Sequence, residues 1–363
     1  MALSWGGRDA LPALPPLYGR GRGLSGCRGG RSAQARRGRH GGHRGAAAAA
    51  AAAARGLARA GTGARAAEQR RPLGPEKTLG LLEGSVVHQE GALLALNKPP
   101  GLPVLGQPGE LSLDALLPAL RRRLGLPAEF HVVKAPARQC SGLVLLSSCY
   151  HTTKKLQQFF TKARQRGQYL ATYCAVTVGV PAEAEGEIRT GLCWQQQGDT
   201  AMVVPVPAPG RHSLARKEVK STLTRYRVLG ARGGCALLQL QPKTAFPEQL
   251  QVHLTLLLCP ALGDHEHSSR VGSVLGVPFL LTPEAAPTRT QVLDEELLSR
   301  LGLSPQQLHH LPLHIHLQEL VLPEGPLCAP PPPHFLRTLR CLGLPECPSA
   351  ARGSPPHSSL SAH

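Results

Sequence analysis

The first seventy-one residues contain almost nothing from which a core could be built, and that confines folding to the rest of the chain. They hold fourteen Arg, no Lys and only two acids, Asp9 and Glu68, with RGRG at Arg20–Gly23 and RRGRHGGHRG at Arg36–Gly45. Such a segment buries too little apolar surface to offset the entropy of ordering its backbone, so it reads as disordered. It carries +12 of the formal +18, whereas residues 72–363, with 27 basic and 21 acidic side chains, carry only +6. The high net charge is mainly a property of this leader and says little about the partners of the folded part.

An Arg-rich, acid-poor N-terminus has the composition of a mitochondrial transit peptide, which sets the expected location in the mitochondrial matrix. An RGG-like RNA-binding tail and an incidental low-complexity leader are the alternatives. The nine alanines Ala46–Ala54 are too few and too weakly apolar to span a bilayer, and no run of eighteen apolar residues exists, so no membrane span is expected. Ten scattered cysteines, none in a CxxC pair, read as buried thiols rather than a disulfide framework. From about Pro345 the chain is Pro/Ser-rich. The expected organisation is a leader over 1–72, one folded domain over 79–342 and a disordered tail over 345–363.

Within the domain, Ala92–Asn97 is an apolar run stopped by Lys98-Pro99-Pro100-Gly101, which reads as a strand and turn. Ser112 is positioned to cap a helix carrying Leu113, Leu116, Leu117, Leu120 and Leu124, with Pro118 expected to break or kink it. Gly142–Ser147 is a strand. Thr152–Arg166 is an amphipathic helix with Leu156, Phe159, Phe160 and Ala163 on one face. Strands are also expected at Tyr169–Val178, Leu223–Leu229 and Cys235–Gln241, followed by a buried helix at Gln249–Leu258. Leu313–Leu320 alternates so as to put two histidines on the wetter face of a strand. The elements interleave without regular βαβ spacing, which gives a mixed, largely antiparallel α+β domain with flanking helices.

Four segments in order carry a resemblance: Val86–Val104 (VVHQEGALLALNKPPGLPV), His131–Leu146 (HVVKAPARQCSGLVLL), Tyr169–Gly179 (YLATYCAVTVG) and Thr244–Asp264 (TAFPEQLQVHLTLLLCPALGD). Together they resemble the RluA-type pseudouridine synthases, over about Leu81–Leu342, with Leu313-His314 and Pro330–Phe335 fitting the closing strand and end. The resemblance implies a pseudouridine synthase-like sheet domain and cofactor-free isomerisation of uridine in RNA. That chemistry needs an ionised carboxylate beside the ribose, a cation partnering it and an aromatic ring against a base withdrawn from its stack.

The sequence departs from the pattern at the carboxylate. Counted from His131, the aspartate slot falls on Lys134; counted back from Ser141-Gly142, it falls on Ala137, because this loop is three residues longer. No Asp or Glu lies in Val132–Cys140, so no catalytic residue is assigned. The two arginines of the pattern correspond to Phe246 and Gln251, its glycine to Ala245 and its first histidine to Glu248. Thr244, Gln249, Val252, His253, Leu254, Gly263 and Asp264 persist, a correlated change that leaves neither charge unpaired.

The expected substrate-binding residues are Tyr173, Lys134, Gln249 and His253, with a half-buried strand tyrosine the bland reading of Tyr173. Glu248 is read as a solvated or capping residue rather than a relocated carboxylate. His265 and His267 would share a strand face, but too few further ligands follow, and no metal or cofactor is expected. Arg121, Arg122 and Arg123, together with Lys154, Lys155, Lys162, Arg164 and Arg166, are expected to neutralise RNA phosphates. Arg211, Arg216, Lys217, Lys220, Arg225 and Arg227 form a further basic group. Two functions follow: a synthase homologue acting on mitochondrial mRNA or rRNA alongside other RNA-processing proteins, or a catalytically silent RNA-binding or ribosome-assembly factor.

Overall fold

The computed structural model describes residues 74–348, apart from 108, 127–128, 198–199, 208, 217 and 287–288. The expected leader over 1–72 and the tail beyond 348 lie outside the described residues.

The chain runs through α1 (Pro75–Glu83), β1 (Val86–Glu90), β2 (Leu93–Lys98), α2 (Leu113–Arg123), β3 (His131–Lys134), β4 (Ser141–Ser147) and α3 (Tyr150–Gln165). It continues through β5 (Ala171–Val178), β6 (Glu185–Gln197), β7 (Thr200–Val206), α4 (Arg211–Ala215), β8 (Lys220–Arg232), β9 (Cys235–Pro242) and α5 (Gln249–Leu256). The last elements are β10 (Val271–Val274), β11 (Val277–Leu280), α6 (Glu295–Leu301), β12 (Ile315–Leu322), β13 (Gly325–Cys328) and α7 (Pro333–Leu342). Eleven strands form one sheet in the order β1-β2-β4-β12-β5-β9-β8-β6-β7, with β3 on β4 and β13 on β12; β10 and β11 form a separate hairpin. The β4–β12 pair is parallel and the other pairs of this sheet are antiparallel, as the α+β reading requires.

Alternation along the central strands divides the core. Leu143 and Leu145 of β4, Tyr173 and Ala175 of β5 and Leu238 and Leu240 of β9 share one face with Leu156 and Phe160 of α3. Val144 and Leu146 turn to the other face, against the leucines of α1 and α2. Cys174, Val176 and Leu237 pack under α6 and α7 on that same side of their strands. Both faces being covered, β4 and β5 read as nearly continuous apolar runs.

Helix α2 runs on through Pro118, contrary to the expected break. Ser112 accepts from the Ala115 N–H at 3.2 Å, Pro118 is exposed, and Leu113, Leu116, Leu117 and Leu120 hold the helix down. The histidines near β12 correct a second expectation. His314 and His316 are both fully buried rather than on a wet face. The helix α7 covers them, bringing Phe335 to 5.5 and 6.3 Å from their rings. The described cysteines carry no disulfide, and Cys328 and Cys341 are exposed rather than buried.

One glycine is demanded by a close approach. Gly142 has φ +118°, and a Cβ there would lie 2.2 Å from the Leu317 carbonyl oxygen, so the parallel β4–β12 contact forms only with glycine.

Candidate active site

The best-formed concavity is a cleft of about 210 Å³. It lies between the loop joining β3 to β4, the α3 residues Phe160 and Arg164, Tyr173 of β5 and the segment leading into α5. Its size suits one heterocyclic base rather than a drug-sized ligand. Apolar walls with a few placed polar groups are what a withdrawn base needs.

The loop is held from below by Lys98, whose side chain is only 1% exposed. Its ammonium donates to the carbonyl oxygens of Pro99 (3.0 Å) and Leu102 (2.9 Å) in its own turn, and of Arg138 (3.0 Å) and Cys140 (2.7 Å) in the loop. Burial lowers its pKa to about 8, which still leaves it charged at pH 7. Sequence reasoning treated Lys98 only as part of a turn signal; nothing local distinguishes a buried lysine from a surface one.

Lys134, at the end of β3, lines the cleft. Burial, reinforced by the nearby Arg164 guanidinium, holds its pKa below the ordinary lysine range. Ala137, the other position to which the aspartate slot could fall, lines the cleft as well and offers no polar group. The Cys140 thiol is pushed up to about 12 by burial, so it stays protonated and is no nucleophile at neutral pH. Tyr173, 9% exposed, contributes its ring to the same space, and burial also raises its pKa.

Gln249 lines the cleft, yet its side chain is committed to the scaffold. Its Oε1 accepts from Thr244 Oγ1 at 3.0 Å, and its Nε2 donates to the Leu223 carbonyl (3.2 Å) and Thr224 Oγ1 (2.9 Å). His253 lies outside the cleft. It is fully buried, sits 2.9 Å from Thr222 Oγ1, and burial drops its pKa to about 4. Its place is in the sheet–helix packing rather than beside a substrate.

Glu248 is partly exposed at the N-cap position of α5, where its carbonyl accepts from the Val252 N–H at 3.0 Å. It occupies the position preceding α5 with φ +55°, uncommon for a residue with a Cβ, and its side chain makes no capping bond. Instead Oε2 accepts from His267 Nε2 at 2.9 Å, His267 being 1% exposed and Glu248 27%. His265 and His267 lie in a turn, not on the strand face expected for them. Asp264 organises that turn: its Oδ1 accepts from the backbone N–H groups of Glu266 (3.0 Å) and His267 (3.1 Å), and from Gln251 Nε2 (3.2 Å). Gln139 of the loop donates to Glu266 Oε1 at 3.3 Å, tying the loop to the same turn. Glu248, Glu266 and His267 bring possible ligand atoms within 4.8 Å of one another, but Nε2 of His267 is taken up by Glu248.

The expected phosphate-binding residues fall into two groups. Lys154, Lys155, Lys162 and Arg164 of α3, with Arg166 at its C-terminal cap, are exposed, and Arg164 reaches the cleft. Arg121, Arg122 and Arg123 belong to α2, on the opposite face of β4, and Arg123 pairs with Glu76 and, at 3.4 Å, Glu83. Sequence reasoning did not connect Lys220 with the cleft. Its Nζ donates to the Ala245 carbonyl at 2.8 Å, and burial and Arg164 both lower its pKa.

A mixed sheet with one base-sized, aromatic-walled, cation-rimmed cleft defines the class: an RNA-modifying fold. A family model described as RNA pseudouridylate synthase matches residues 92–256, and the chain belongs to that family. It is 51% identical over 280 residues to the mitochondrial mRNA pseudouridine synthase RPUSD3 of Homo sapiens, covering 75% of this chain and 80% of that protein. The Mus musculus counterpart is 50% identical over 280 residues, covering 75% and 81%. Among solved structures, human RNA pseudouridylate synthase domain containing 4 aligns with TM-score 0.59 and 28% identity, covering 75% of this chain and 97% of that one.

Proposed function

We propose that this chain is a pseudouridine synthase acting on mitochondrial RNA, mRNA or rRNA, in the mitochondrial matrix. The observation that carries the reading is the cleft itself, which Tyr173, Lys134, Arg164 and the segment entering α5 line together. The human and mouse relatives are named as mitochondrial mRNA pseudouridine synthases. A uridine withdrawn from its stack would place its base against Tyr173, while the cations of α3 and the cleft rim neutralise neighbouring phosphates. The C1′–N1 bond then breaks, uracil turns, and C5 bonds to C1′ as the C5 proton is lost and N1 gains one. In this reading residues 1–72 are the transit leader, 79–342 the RNA-modifying domain and 345–363 a tail, and other mitochondrial RNA-processing proteins are partners. No described helix is long and apolar enough to cross a membrane.

A second reading, a silent RNA-binding or ribosome-assembly factor, is favoured by one observation: the loop presents Lys134 and Ala137 to the cleft and no carboxylate. An amine has the wrong charge to stabilise cationic character developing at the sugar. Incubation of the protein with RNA tritiated at uridine C5 separates the two. Tritium release that disappears in Tyr173→Ala supports the synthase; salt-sensitive RNA binding without release supports the silent factor.

A further inference from the structure

We propose that Glu248 is the catalytic carboxylate of this chain, acting from the entry to α5 in place of the acid that the loop between β3 and β4 no longer carries. The inference rests on the synthase reading and deepens it.

Breaking a glycosidic bond builds positive charge at C1′, and an anion poised against that carbon lowers the barrier; paired carboxylates perform this service in glycoside hydrolysis. Among the residues lining the cleft, Glu248 is the one acid. The other candidates are eliminated by position or by charge. Asp264 is 1% exposed, with Oδ1 committed to the turn and to Gln251. Glu266 does not line the cleft, and its Oε1 is held by Gln139. The Cys140 thiol and the Tyr173 phenol are kept protonated by burial, and Lys134 has the wrong charge.

Glu248 is also set up rather than merely present. Its left-handed backbone is a conformation that non-glycine residues keep only where their surroundings impose it, and such strain gathers at functional sites. His267, itself buried, fixes one carboxylate oxygen at 2.9 Å. Burial works to lower the pKa of His267, but the hydrogen bond to Glu248 and the charges of Asp264, Glu248 and Glu266 outweigh it and raise the value above the ordinary one. His267 is thus a positioning residue for a carboxylate that keeps its second oxygen for the substrate.

The step balances without a co-reactant. A carboxylate oxygen of Glu248 attacks C1′ and forms an ester as the C1′–N1 electron pair leaves on uracil. After uracil turns, its C5 attacks C1′ and expels the carboxylate. The C5 proton passes to water and N1 takes one up.

The test uses the full chain and a pool of C5-tritiated transcripts of mitochondrial protein-coding genes. Wild type is expected to release tritium, and Glu248→Gln to lose at least a thousandfold in rate, with RNA affinity within twofold and an unchanged melting curve. Adding Ala137→Asp to Glu248→Gln is expected to restore part of the release by returning a carboxylate to the loop. Glu248→Asp, which keeps the charge but withdraws it by one methylene, is expected to lose about a hundredfold, and decides the matter if Glu248→Gln does not fold. Wild-type release with Glu248→Gln within tenfold, or Glu248→Asp within threefold, overturns the inference and leaves the synthase reading standing. Absence of release from wild type overturns both.

Discussion

Acid should unfold this domain through histidines buried in its core. His253, His314 and His316 are fully buried, and burial holds the pKa of each at about 4, against a usual value near 6.5. Between those values the unfolded chain binds more protons than the native one, so stability falls as pH falls. A histidine with these two pKa values costs about 2 kcal/mol by pH 5, and the three together roughly 6 kcal/mol. His267 opposes the trend: its raised pKa gives a contribution present below 6.5 and lost at higher pH. Since domains are stable by about 5–15 kcal/mol, most of the margin would disappear. Denaturant unfolding followed by circular dichroism at pH 7.5, 6 and 5 measures this. A free energy constant to within 1 kcal/mol over that range would refute the reasoning, as would a His314→Gln variant with an unaltered pH slope.

Gly142→Ala should cost roughly 3 kcal/mol or more, because the new Cβ meets the Leu317 backbone in a left-handed conformation, and a melting curve unchanged from wild type would contradict it. Lys98→Met strips the buried Leu102 and Cys140 carbonyls of their donor, and should lower stability by about 2–4 kcal/mol while hydrogen exchange accelerates in residues 135–140. Arg164→Gln should weaken RNA binding across sequences and reduce the slope of log affinity against log salt by about 1, read by filter binding at several salt concentrations. Tyr173→Phe should retain RNA affinity whereas Tyr173→Ala loses about 1–3 kcal/mol of it, since a stacking face rather than the hydroxyl is at stake.

The fold was most legible where local chemistry and tertiary packing agree. Ser112 and the leucines of α2 announce that helix, and the apolar runs of β4, β5 and β9 announce buried strands. Strands β6 and β7 escaped sequence reading because β6 (EGEIRTGLCWQQQ) is polar along much of its length; its strand state comes from pairing with β8 and β7. His314 and His316 misled because alternation shows which residues share a face, not whether a helix later in the chain will cover it. In the cleft, the motif segments point to Lys134, Tyr173 and the stretch around Gln249, which converge there. The Glu248–His267 pair was invisible because its partners lie 19 residues apart and meet only through the turn that Asp264 holds.

That separation between scaffold and chemistry explains how the loop can lack its acid without losing the fold. The loop is anchored by Lys98 through the carbonyls of Arg138 and Cys140, and by Gln139 to Glu266, none of which depends on a carboxylate between Val132 and Cys140. On the opposite wall, Gln251 stands where the resemblance leads one to expect an arginine, and it meets Asp264 with a neutral donor. That bond, with the backbone N–H groups of Glu266 and His267, serves Asp264 Oδ1 without a cation, so this wall holds together with neither the arginine nor the loop acid. Glu248, one helical turn before Gln251, meets no salt-bridged arginine at that position to neutralise it. Restoring a loop acid by Ala137→Asp in the wild-type background then sets two anions against one cleft, and the gain in rate should be smaller than in Glu248→Gln.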